Sequence, residues 1–109
     1  MSKVIQVTDE NFYNEVAKGK MPLMTEFYAV WCTHCQNMAP IVEELAEEFS
    51  GTIDIYAADV DKTTKAAETY GIGGIPTFVL FKDANHYEKF SGETSKTYLK
   101  QKLEELLKK

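Results

Sequence analysis

Short apolar runs alternate with amphipathic segments along the whole 109-residue chain, and that alternation restricts it to a layered α/β fold. Val4–Val7, Leu23–Ala29, Ile53–Ala58, Thr77–Phe81 and His86–Phe90 have the length and composition of strands. A first helix is predicted from Asp9 to Lys18, capped by Thr8 and stopped by Gly19, with Phe12 and Val16 on one face. A second runs from Gln36 to Phe49. It turns Met38, Ile41, Val42, Leu45 and Phe49 inward, presents Glu43, Glu44, Glu47 and Glu48 mainly outward, and carries Pro40, which is expected to kink it. A short third helix, capped by Asp61 or Thr63, ends near Tyr70-Gly71. The last spans Ser95 to Leu107, with Tyr98, Leu99, Leu103, Leu106 and Leu107 as its apolar positions. The order is β-α-β-α-β-α-β-β-α. The last two strands share a tight turn at Asp83–Asn85 and must be antiparallel. Those joined through helices are expected to be parallel.

Length predicts a single domain over residues 1–109, and 44% hydrophobic residues are enough for an ordinary core. The net charge of −5 argues against nucleic acid or an anionic membrane as a partner. All basic residues are lysines, so bidentate guanidinium clamps are absent. The first twenty residues include Asp9, Glu10 and Glu15 and lack the apolar stretch of a signal peptide, which predicts a cytoplasmic location.

The chemistry concentrates in Trp31-Cys32-Thr33-His34-Cys35, which holds the only two cysteines and the only tryptophan and leads straight into the second helix. A helix start presents unpaired N–H groups and a positive dipole end, and both stabilise a thiolate. A disulfide closing so small a loop constrains the unfolded chain little, which favours reversible exchange over a structural cross-link. Two other readings of the pair are half of a structural disulfide and a metal ligand. A tetrahedral site joining Cys32, His34 and Cys35 needs a fourth ligand and hence a second copy of the chain, so no metal is expected. Neither Gly71–Pro76 nor Asp59-Val60-Asp61 meets the spacing of a dinucleotide or calcium loop.

With the element order in place, Glu26-Phe27-Tyr28-Ala29-Val30-Trp31-Cys32, Pro40, Asp59-Val60-Asp61, Tyr70-Gly71-Ile72, Gly74-Ile75-Pro76-Thr77 and Gly92 together resemble the thioredoxin family over nearly the whole chain. The resemblance implies a central five-stranded mixed sheet flanked by four helices, with a cis Ile75–Pro76 bond packed against the cysteines. It implies a protein dithiol–disulfide oxidoreductase with no cofactor beyond a redox-active Cys32–Cys35 disulfide. The partners it implies are disulfide-containing proteins and a thioredoxin reductase-like, flavin- and NADPH-dependent electron donor. A monomer is expected. Cys32 would attack and Cys35 would resolve the mixed disulfide. Trp31, Gly74, Ile75, Pro76 and Gly92 would form the docking surface, with substrate backbone pairing along Ile75.

Five positions depart from the commonest family pattern. Thr33-His34 replaces Gly-Pro, and histidine there resembles disulfide isomerases and oxidases. An imidazolium near Cys32 favours its thiolate. Thioredoxin and the isomerase differ by about 90 mV, about 4 kcal/mol, whereas an exposed charge pair gives about 1 kcal/mol or less. The expected potential therefore lies between the two, nearer thioredoxin, with an oxidase or isomerase as the alternative function. Glu26 stands where the family has a buried aspartate that relays a proton for the second cysteine. A carboxyl in an apolar strand has a raised pKa, which suits transfer near neutral pH. Ala57 occupies the place of a lysine often found beside that acid, and Gly73 reduces the docking rim.

Overall fold

A computed structural model describes residues 2–108. Five strands form one mixed sheet: β1 (Ile5–Val7), β2 (Leu23–Tyr28), β3 (Asp54–Asp59), β4 (Thr77–Asp83) and β5 (His86–Ser91), in the order β1-β3-β2-β4-β5. Four helices flank it: α1 (Asp9–Phe12), which continues as a π-helical stretch over Tyr13–Ala17, α2 (Thr33–Glu48), α3 (Thr64–Thr69) and α4 (Lys96–Lys108).

Strand alternation sorts the core into two layers. Leu23 and Phe27 of β2 face one side of the sheet, where they meet Phe12, Val16, Tyr56, Val79 and Phe81. Met24 faces the other, with Met38, Val42 and Leu45 of α2 and Leu99, Leu103 and Leu106 of α4. The central strand is buried on both faces, which explains its nearly unbroken apolar run. The exception on the α2 side is Glu26, 5% exposed.

β4 differs from expectation. It is reached through a helix, yet it runs antiparallel to β2. The reason is length. Six residues of α-helix advance the chain by about 9 Å, while six residues of strand cover about 20 Å. α3 is too short to return the chain to the far edge, so β4 re-enters from the end at which β2 and β3 finish. Phe27 thereby lies opposite Thr77, and the Ile75–Pro76 bond, which is cis, arrives at the C-terminal end of β2. A second cis bond, Met21–Pro22, precedes β2.

The helix boundaries also shift. α2 starts at Thr33 rather than Gln36, with Cys32 as its N-cap, and it runs without interruption through Pro40. Thr63 rather than Asp61 is the N-cap of α3. Its hydroxyl does not cap the helix but donates to the Asp59 carbonyl. The N–H groups of Lys65 and Ala66 donate instead to the Asp9 carboxylate, at 3.0 and 3.1 Å, and these bonds hold its pKa below the usual carboxylate range. In α4, Tyr98 and Leu107 are exposed and the buried stripe is Leu99, Leu103 and Leu106. His86 pairs with Asp83 in the β4–β5 turn, on the surface.

Candidate functional site

β2 delivers Ala29, Val30 and Trp31 to the start of α2. The Cys32 N–H donates to the Ala29 carbonyl at 3.2 Å, and the Cys32 carbonyl accepts the first helical bond, from Gln36, at 3.0 Å. Its sulfur then does what a serine or aspartate does at other N-caps: Sγ accepts the Cys35 N–H at 3.2 Å. An acceptor there gains from the unpaired donors and the dipole of a 16-residue helix, and a thiolate gains most. On the other side Sγ lies 3.9 Å from the carbonyl oxygen of Ile75. Both thiols are free, with Cys32 8% and Cys35 4% exposed. Burial, then the hydrogen bond with Cys32, pushes the Cys35 thiol up to about 12.

Trp31 is 66% exposed beside this pair, and its indole N–H donates to Asp61 Oδ2 at 3.0 Å. Pro76 is buried and Ile75 half-buried. The Gly92 N–H donates to the Pro76 carbonyl at 2.8 Å, which ties the end of β5 to the cis-proline loop. Gly92 has φ +105°, a conformation that L side chains rarely adopt. A Cβ at Gly73 or Gly74 would meet nothing within 4 Å, so that rim is open. Lys89 braces the loop from β5, donating to the carbonyls of Tyr70 at 2.7 Å and Gly71 at 3.0 Å. Tyr70 packs inward, edge-on to Phe81 and Tyr87, and Ile72 also packs against the core.

Glu26 sits on β2 with Ala57 opposite it on β3 and Phe78 on β4. Burial alone raises its carboxyl to about 7, and Oε2 has no hydrogen-bond partner among the described residues. Glu26 and Cys35 line one pocket of about 100 Å³ together with Gln6, Tyr28, Ala39 and Glu43. That is ample for ordered water between carboxyl and thiol.

Thr33 and His34 are exposed in the first turn of α2. His34 Nδ1 lies 2.8 Å from Glu93 Oε1, and Asn37 Nδ2 donates to the same oxygen at 3.2 Å. These contacts hold the Glu93 carboxyl below its ordinary value, the His34 bond contributing most. Glu93, Asn37, Asp61 and Lys89 escape sequence reasoning because each meets its partners across 18 to 59 residues. Among the described residues no group of three or more His, Cys, Asp or Glu side chains is disposed to hold a metal ion, and no helix is long and apolar enough to cross a membrane.

A family model described as Thioredoxin matches residues 3–105. The chain belongs to the thioredoxin family. It is 37% identical over 107 residues to Thioredoxin 1 of Nostoc sp., covering 98% of this chain and 100% of that protein. It is 35% identical over 107 residues to Thioredoxin 1 of Synechococcus elongatus, with the same coverage. It is 37% identical over 108 residues to Thioredoxin of Buchnera aphidicola subsp. Schizaphis graminum, covering 99% and 100%. Thioredoxins are protein-disulfide reductases that work through a redox-active cysteine pair on disulfide-containing proteins, and this chain is such an oxidoreductase. The oxidase or isomerase alternative is not favoured.

Proposed function

We propose that this thioredoxin reduces protein disulfides with Cys32 as nucleophile, Cys35 as resolving thiol and Glu26 as proton acceptor. The observation that carries the assignment is the Cys32 sulfur capping α2 at 3.2 Å from the Cys35 N–H, with Cys35 buried behind it. The Cys32 thiolate attacks one sulfur of a substrate disulfide, forms a mixed disulfide and expels the other sulfur as a thiolate. Mixed-disulfide formation removes the negative sulfur and the hydrogen bond that help hold the Cys35 proton. Cys35 then passes that proton to Glu26 through the shared pocket and attacks Cys32 Sγ. The reduced substrate leaves, and a Cys32–Cys35 disulfide remains.

Trp31, Gly74, Ile75, Pro76 and Gly92 form the docking surface in this reading, and Thr33 and His34 tune the potential. A thioredoxin reductase-like enzyme returns two electrons to the disulfide, and no cofactor is held by the chain. The protein acts as a single domain, as a monomer, in the cytoplasm. Insulin reduction tests the assignment. Cys32→Ser is expected to abolish it, and Cys35→Ser to accumulate a covalent mixed disulfide through Cys32. Retained turnover in Cys32→Ser, or refolding of scrambled ribonuclease without insulin reduction, overturns it.

A further inference from the structure

The groove beside the cysteines is lined by His34, Ile75, Gly92, Glu93, Thr94 and Ser95. One wall is the first turn of α2 and the other is the segment between β5 and α4. A carboxylate joins the walls: Glu93 Oε1 sits 2.8 Å from His34 Nδ1 and 3.2 Å from Asn37 Nδ2. His34 and Asn37 are one helical turn apart, so a single oxygen engages two successive positions of one face. The contact fixes the imidazole on the groove side and sets a negative charge against it.

The geometry points to Glu93 as a second determinant of Cys32 reactivity, opposed to His34, such that the net charge of the pair rather than the histidine alone acts on the thiolate. The inference rests on Cys32 being the thiolate nucleophile. Its sign follows from comparing equal states of the imidazole. With Glu93 present, the pair carries between −1 and 0. With Glu93 neutralised, it carries between 0 and +1. For a given state of the imidazole, removing the carboxylate therefore makes the surroundings of Cys32 one unit more positive and favours the thiolate. Glu93 is a positioning and charge-balancing residue in this sense; it touches no reacting atom. It also accounts for a histidine between the cysteines of a chain that belongs among reductants.

The rate at which iodoacetamide alkylates the fully reduced protein at pH 6.0 reads the effect. The rate follows the thiolate present. Cys35, buried and held near 12, does not compete. Glu93→Gln is expected to alkylate about two-fold faster, the scale set by an exposed charge pair after the partly offsetting fall in nucleophilicity. His34→Ala is expected to alkylate about two-fold slower. The double variant, which carries neither charge, is expected to return close to the native rate. A purely structural role predicts no such return, since two perturbations do not cancel by charge. An unchanged or slower rate in Glu93→Gln, or a double variant further from native than either single one, overturns the inference while leaving the function standing. Peptide mapping of the alkylated native protein separates the two cases, because label on Cys35 instead of Cys32 overturns the nucleophile assignment itself.

Discussion

At the scale of single residues, Glu26 shows how one buried group couples function to stability. Its carboxyl titrates near 7 in the folded protein against a usual 4.5, because burial disfavours the charged form and no cation answers it from Ala57. The folded state therefore binds more protons than the unfolded chain between about pH 4.5 and 7. Stability is greatest below that window and declines as pH rises through it, by about 3 kcal/mol in all. Glu26→Gln keeps the shape and removes the titration. At pH 8 the variant is expected to be up to about 3 kcal/mol more stable than native, while the advantage shrinks towards pH 4.5. Guanidinium unfolding at the two pH values checks this, and a difference independent of pH would contradict it. The charge at position 26 was legible in the sequence, because a glutamate inside an apolar strand admits few explanations. The pairing of His34 with Glu93 was not, since neither residue is unusual where it stands.

At the scale of elements, composition and periodicity located every strand and helix to within a few residues, but the π-helical end of the first helix left no trace in the pattern. Tyr13–Ala17 widens by one residue per turn, and the following Lys18 and Gly19 N–H groups close back on Tyr13 and Val16. Gly19 is required there by space rather than by a left-handed backbone. A Cβ at that position would collide with the Glu15 carbonyl oxygen and press on Leu23. Neither neighbour can yield cheaply, since one is backbone and the other a fully buried side chain. Gly19→Ala is expected to destabilise the protein by about 2 kcal/mol or more, whereas Gly73→Ala, which meets nothing within 4 Å, stays within about 0.5 kcal/mol. Chemical denaturation of both variants distinguishes a glycine kept for packing from one that is merely present. The third helix teaches the complementary lesson. Its short length decides the direction of β4, and its N-terminus depends on Asp9, 56 residues from Lys65, a contact that no local signal announces.

At the scale of the whole molecule, the alternating pattern specifies the layers, and the layers place the site. Two apolar clusters occupy opposite faces of the sheet, and the cysteines form a small third cluster with Ala29, Tyr28, Val60 and Ile75 at the strand ends. The order of elements makes this architecture readable from sequence, because short connections allow few ways of covering both faces. Which residues touch across the groove is decided later, by the meeting of loops from distant parts of the chain. That division of labour predicts that stability and reactivity are separable. Leu103 of α4 is fully buried among Leu99, Phe78 and Leu80, in a cluster that does not include either cysteine. Leu103→Ala leaves a cavity on one face of the sheet and is expected to cost about 2 to 5 kcal/mol, read as a lower guanidinium midpoint with an unchanged slope. At temperatures where the variant remains folded, its rate of insulin reduction is expected to match the native protein. A fall in that rate with the fold intact would show that the α4 layer holds the groove in shape, and that the site is not carried by the strand ends and α2 alone.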